Sequence, residues 1–306
     1  MKSKLIYRII APLVLIITGI VLCFTVGFNK GLDLTGYNLV EVNVGTNKIE
    51  DAYKNIKDVL DGKDLKIRDV TLEQDDYGDV IAVKFTSSLS DTTSLENQIK
   101  DELIAKFGYD QSSIIEQTYI KVSGHIEGLN IWPGIAEVGL AIVIALVAVF
   151  VYNLLRFNLP NAMSIVLSVI LDILTMISIV LITRLPINST FGIAIAGTAI
   201  FSILLNTIFY DKLVYNSKEE KYLTCSNEEV IKVTHVSFKN TLITLVMGAI
   251  FATAVFAYYN IVTTVCLSIG FLTTLYTSQM LVPYLWAFAY KRKFKQKKVN
   301  AETEEK

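Results

Sequence analysis

The chain has 306 residues, 52% of them hydrophobic and 19% charged, with a formal net charge of −1. Soluble domains carry about a quarter charged residues, so this balance, with a mean hydropathy of +0.48, excludes an ordinary soluble globular protein and points to the membrane. Near-zero net charge says nothing about partners, but its distribution does: acids gather between 41 and 137 and bases at both ends.

Residues 1–8 carry Lys2, Lys4 and Arg8, and residues 9–29 carry no charge. That run is long enough to cross a hydrocarbon core, which takes about 20 apolar residues. A basic start also fits a signal peptide. The apolar stretch is too long for one and no small-x-small cleavage site follows, so an uncleaved first helix is expected over 1–30. Pro12 falls near its start, where a missing N–H costs little.

At Gly31-Leu32-Asp33-Leu34-Thr35-Gly36 the texture changes from apolar to mixed. Asp33 has two readings, a ligand-binding carboxylate and a cap that fixes the chain as it leaves the bilayer. The second is preferred, with Gly31 and Gly36 supplying backbone freedom. Leu39-Val40-Glu41-Val42-Asn43-Val44 alternates as a half-buried strand does. Ile49, Ala52, Tyr53, Ile56, Val59 and Leu60 fall at helical spacing. Residues 66–72 alternate again, Tyr77-Gly78-Asp79 marks a turn, and 80–85 reads as a strand. Asp91 is placed to cap a helix through Leu95, Ile99, Leu103 and Phe107, closed by Gly108. A last strand is expected over 115–122. The order β-α-β-β-α-β predicts an α+β ferredoxin-like domain over 31–133, a small antiparallel sheet with two helices on one face. It holds no phosphate-cradling glycine loop and no nucleophile–base pair, so nothing supports an enzyme. No cofactor or metal is expected either. His125 and His235 lie far apart, and none of Cys23, Cys225 and Cys266 falls within 31–128.

Gly124, Gly128, Pro133 and Gly134 return the chain to the membrane. A second span is expected over about 136–155, ending at Arg156-Phe157. The third runs over 160–183, interrupted only by Asp172. Arg184-Leu185-Pro186 makes a tight turn, and the fourth span covers 187–210. Residues 211–239 read as a charged loop. Residues 240–290 hold no charge. One helix of that length would measure about 76 Å against a core of ~30 Å, so two spans are required, 240–258 and 261–287, hinged at Tyr258-Tyr259-Asn260. The tail 291–306 begins strongly basic. It is expected to meet anionic lipid rather than nucleic acid. The sequence thus predicts an α-helical polytopic membrane protein with six transmembrane helices, a five-helix bundle over 134–290 and one domain between spans one and two. The positive-inside rule places both termini and the 156–160 and 211–239 segments in the cytoplasm, and 31–133 outside.

Asp172 is the sharpest single residue. A carboxylate near the midplane costs about 2.5–3.5 kcal/mol on insertion scales and needs a partner or water. One reading is a proton or ion relay. The other is a structural carboxyl hydrogen-bonded to Ser or Thr on span four or five, with Ser202, Asn206 and Thr207 as candidate partners. Gly192, Ala194, Ala196, Gly197 and Ala199 form a small-residue face on span four, read as close helix packing.

This layout resembles the SecF branch of the SecD/SecF family of protein-export membrane proteins, within the RND superfamily. That family carries a Gly-Ile-Asp-Phe-Thr-Gly-Gly type motif after its first span, which matches Gly31, Asp33, Thr35 and Gly36, with Tyr37 replacing the last Gly. Its Arg-Phe matches Arg156-Phe157, its third-span Asp matches Asp172, and its Phe-Asp-Arg matches Tyr210-Asp211-Lys212. Its Tyr-Ser-Ser and later Pro match Tyr276-Thr277-Ser278 and Pro283. The resemblance implies an RND-type half that assists preprotein export beside a SecD-like subunit and the SecYEG channel, in the cell membrane, with the proton gradient as a source of work. Two positions depart from the pattern. The family's span-four Asp falls on Leu205, or on Asn206-Thr207 after a shift of one residue. Its span-five Arg falls on Asn240, beside Lys239. Two alternatives stay open: a scaffold of the translocon without proton conduction, and half of an RND-type lipid or small-molecule transporter.

Overall fold

The computed structural model describes residues 2–45, 49–63, 65–75, 78–86, 92–107, 120–157, 159–218 and 226–287. The expected cap at Asp91, the turn at Tyr77, the helix end at Gly108, residues 115–119 and the basic tail lie outside these. The chain divides into two compact units, residues 30–131 and a helical unit of 1–29 with 132–306.

In the first unit the strands are β1 (Tyr37–Gly45), β2 (Lys66–Asp75), β3 (Gly78–Thr86) and β4 (Ile120–Ile126), in the order β2-β3-β1-β4. Every neighbouring pair is antiparallel. The alternation of β1 sets the register. Val40 faces Val83 on one side and Val122 on the other, and Val42 faces Ile81. Helices α3 (Ile49–Gly62) and α4 (Thr92–Phe107) bring Ile56, Leu60, Ile99 and Leu103 onto Val40, Val42, Ile81, Val83 and Phe85, all buried in one core. The described part of the last strand, expected over 115–122, is Ile120–Ile126.

The entry to this unit is a single helical turn, α2 (Leu32–Thr35). Gly31 occupies its N-cap with no side-chain bond. Asp33 sits in the first turn, and its carbonyl accepts the Leu129 N–H at 2.7 Å. Gly36 ends the turn at φ 81°, ψ 159°, a region essentially confined to glycine. A β-carbon on Gly128 would overlap the Leu34 carbonyl. Entry and exit strands are thereby tied together within the unit.

The helical unit contains α1 (Lys2–Thr25), α5 (Trp132–Arg156), α6 (Leu159–Thr183), α7 (Phe191–Lys218), α8 (Asn227–Tyr259) and α9 (Ile261–Tyr276). A π-helical turn, Thr277–Leu281, continues α9, which stays apolar to Ala287. Among the described residues, six helices are long and apolar enough to cross a membrane. The two longest run well past a core of ~30 Å: at 1.5 Å per residue α7 measures about 42 Å and α8 about 50 Å. The segment 211–239, expected as loop, is therefore helical over most of its described length. Ser226 begins α8 with a capping box, its hydroxyl accepting the Glu229 N–H while the Glu229 carboxylate accepts the Ser226 N–H. Asn260 breaks α8 from α9 and caps α9 by accepting the Thr263 N–H.

Close packing centres on α7 and α9. A β-carbon on Gly270 would overlap Thr198, and one on Gly197 would press into Leu267. Ala194 and Ala199 are buried on the same side of the fold. Pro12 lies inside α1 rather than at its first turn. Its missing N–H leaves the Arg8 carbonyl without a helical donor, and the Tyr276 hydroxyl donates to it instead at 3.1 Å. At the other end of α1, Arg184 donates to the Gly27 carbonyl at 2.5 Å and Asn29 donates to the Arg184 carbonyl at 2.7 Å.

Candidate functional site: a buried carboxyl among hydroxyls

Asp172 sits midway along α6 and is fully buried. It is the one carboxyl between Asn161 and Thr183, and Ile261–Ala287 contains none. Two hydroxyls face its two oxygens. Ser202 on α7 donates to Oδ2 at 2.5 Å, and Thr277, at the start of the π turn, donates to Oδ1 at 2.6 Å. Asn206, one turn along α7 from Ser202, donates its amide to the Ser202 Oγ at 3.0 Å. Ser202, Asn206 and Thr277 are as buried as Asp172 itself.

Of the residues expected around Asp172, the structure brings in Ser202 and Asn206. Thr207 is not among the bonded partners, and its hydroxyl makes no hydrogen bond among the described residues. The physical reason is helical phase. Ser202 and Asn206 are four apart and share a face, whereas Thr207 is rotated about 100° from Asn206. The structural reading of Asp172 expected a Ser or Thr partner on span four or five, and Ser202 on span four is one. A further partner, Thr277, comes from the sixth span. A signal for it exists in the sequence. Thr263, Gly270, Thr274, Thr277 and Leu281 repeat at helical spacing and are all buried.

The hydrogen count suits two protonation states. An ionised Asp172 accepts both hydroxyl protons. A protonated Asp172 can donate from Oδ1 to the Thr277 Oγ1, whose own hydrogen then turns to the Thr274 carbonyl, 3.1 Å away. Neither state leaves the carboxyl without a partner. Among the described residues no Arg or Lys pairs with it. Leu205, where a second acid was sought, is fully buried in an apolar cluster with Phe209 and Phe238, and Asn240 is exposed on α8.

Arg156, Asp211 and Lys212, at the α5 and α7 C-terminal ends, form two separate ties. Arg156 pairs with Asp211 at 2.7 Å and hydrogen-bonds the Tyr152 hydroxyl, linking α5 to α7, with the Phe157 ring beside its guanidinium. Lys212 turns the other way, donating to the Ser237 carbonyl at 3.0 Å and to Thr241 Oγ1 at 3.1 Å on α8. Asn216 extends that tie to Thr234 at 3.0 Å. Among the described residues, no group of His, Cys, Asp and Glu assembles that could hold a metal ion.

Six helices long and apolar enough to cross a membrane among the described residues, a buried polar cluster around Asp172, and a separate β-sheet unit inserted after the first helix define a multi-pass membrane protein. A family model described as protein export membrane protein SecD/SecF, C-terminal, matches residues 134–287, half of the chain, and the chain belongs to that family. The protein translocase subunit SecF of Helicobacter pylori is 23% identical over 238 residues, covering 74% of this chain and 68% of that one. The subunit of the same description from Sebaldella termitidis is 23% identical over 303 residues, covering 94% and 92%. Among solved structures, SecDF in its super-membrane-facing form superposes with a TM-score of 0.63 at 16% identity, over 98% of this chain. SecDF of Thermus thermophilus, described as a translocon-associated membrane protein, gives 0.51 at 19% identity over 95% of this chain. These are likenesses of fold, and the chain spans 39% and 38% of the two SecDF chains.

Proposed function

We propose that this chain is an accessory subunit of the Sec protein translocase. It assists preprotein export across the cytoplasmic membrane beside a SecD-like subunit and the SecYEG channel, and it catalyses no covalent chemistry. The β-sheet unit, read as a ferredoxin-like module on the outer side, holds the emerging preprotein against backsliding. The observation that carries this reading is the family match across the helices that build the Asp172 site, together with two bonding patterns at that site that suit gain and loss of a proton. Protonation at Asp172 turns the Thr277 hydroxyl from donor to acceptor toward the carboxyl, and so biases the contact between α6 and α9. That is the step by which a proton gradient would be converted into movement of the subunit.

A second reading is favoured by Leu205 and Asn240, which replace the acid and the base the resemblance calls for. In it the subunit is a scaffold and Asp172 a structural carboxyl. Asp172→Asn separates the two. Asn keeps a carbonyl acceptor for one hydroxyl but carries no exchangeable acid. Proton use predicts loss of the subunit's contribution to export of a signal-sequence reporter at unchanged protein level. Normal export in Asp172→Asn would leave the scaffold reading. An RND-type lipid or small-molecule transporter half has less support, because the related SecDF chains carry the same fold within a longer protein.

A further inference from the structure

Helix α1 packs closely on α6 at one end and parts from α9 at the other. A β-carbon on Gly19 would overlap Ser178 of α6, whereas toward its N-terminus α1 reaches α9 chiefly at the π turn. The gap is a trough of about 410 Å³ open along one side, walled by Ala11, Pro12 and Leu15 of α1, Ile179 of α6, and Leu272 and Tyr276 of α9. Thr175, Thr273 and Thr277 also border it, but the Thr273 and Thr277 hydroxyls are committed to the Gly270 carbonyl and to Asp172, and the Thr175 hydroxyl oxygen is itself buried rather than presented to the trough. The lining it offers is therefore hydrocarbon. Water in such a space would lack the two to four polar partners that hold a buried water.

The trough has a charged end. Arg8, Ala11 and Leu15 follow one another at i+3 and i+7, a single stripe of α1 that is basic at Arg8 and apolar afterwards. The Arg8 guanidinium lies 3.9 Å from the Tyr284 ring centre and donates one N–H to the Met280 carbonyl at 3.1 Å. Arginine has five N–H groups in a fork that matches phosphate oxygens, so donors remain for an anion. A ligand with an anionic head and a hydrocarbon tail matches this run of charge followed by apolar surface, and the bilayer supplies it.

We propose that the trough between α1 and α9 holds one acyl chain of an anionic phospholipid, with its phosphate at Arg8. The chain lies against Thr277 and Thr175, the outer wall of the Asp172 site, and keeps water from reaching that carboxyl from the lipid side. The site stands on its own geometry and does not depend on proton use.

The test uses the purified full-length chain in detergent, stripped of lipid and then given dioleoyl phosphatidylglycerol or dioleoyl phosphatidylcholine. Native mass spectrometry is expected to show one retained phosphatidylglycerol and several-fold less phosphatidylcholine. Arg8→Gln abolishes the preference between the two. Ala11→Trp, which fills the trough, removes the retained lipid, while Leu140→Trp on the exposed face of α5 does not. Equal retention of both lipids by the unaltered chain, or undiminished retention in a folded Ala11→Trp, overturns the proposal. If Ala11→Trp does not fold, phosphatidylglycerol with a diazirine in its acyl chain decides on the unaltered protein. Crosslinks are expected on peptides holding Ala11–Leu15 or Leu272–Tyr276. Crosslinks confined to other helices overturn it.

Discussion

Ser202 and Thr277 hold Asp172 from two helices, and the magnitudes say what each bond does. Interhelical hydrogen bonds in membranes average about 0.6 kcal/mol, so Ser202→Ala or Thr277→Val is expected to lower unfolding stability by less than about 1 kcal/mol. The proposed relay predicts an effect on export larger than that stability change explains, since each bond would then set where the Asp172 proton goes. Thermal unfolding in detergent alongside reporter export checks both parts, and a fall in export that merely tracks stability contradicts the relay. Asp172 was readable from sequence because a carboxyl in an apolar run is costly. Ser202 and Asn206 were readable because four-residue spacing places them on one face. Thr277 was harder to see: threonine is ordinary in membrane helices, and only contact with α6 distinguishes it from Thr273 or Thr274. Asp33 lies inside the turn, two residues past the Gly31 N-cap, and its backbone carbonyl ties the turn to Leu129.

Helix ends and crossings carry the next scale. The membrane spans were readable from hydropathy, but charge was a poor guide to where helices stop. Lys212, Lys218, Glu228 and Lys232 extend α7 and α8 beyond the thickness of a bilayer, because a helix that leaves lipid can continue in water. The Ser226-Asn227-Glu228-Glu229 sequence is a capping-box signature that marks the start of α8 inside the segment read as loop. Ser226→Ala is expected to cost about 1 kcal/mol and to raise amide exchange in the first turn of α8, measured by hydrogen–deuterium exchange. At the α7–α9 crossing, Gly270→Val drives side-chain atoms into Thr198 and is expected to destabilise by about 1–3 kcal/mol, seen as a lower unfolding temperature. The Arg156–Asp211 pair is half exposed, 47% and 46%, and belongs to a weaker class. A double-mutant cycle there should return about 0.2–1 kcal/mol and shrink as salt rises.

For the whole molecule, the sequence order of strands and helices sufficed to propose a split βαβ sheet, and the observed order β2-β3-β1-β4 is the one such a unit adopts. Alternation at Val40 and Val42, and the stripe through Ile56 and Leu60, placed the core because both periods pointed to one face. The trough beside α1 could not be read that way, since it depends on how far two helices diverge rather than on which residues face each other. The account as a whole rests on which side of the bilayer the β-sheet unit occupies. The direct measurement is labelling of intact cells with a membrane-impermeant maleimide. It uses single cysteines at Asp58 in the sheet unit and at Lys218 at the end of α7, in a chain whose Cys23, Cys225 and Cys266 are replaced. The account predicts labelling at position 58 in intact cells and at 218 only after the membrane is opened. Labelling at 218 in intact cells, with 58 protected, would contradict it.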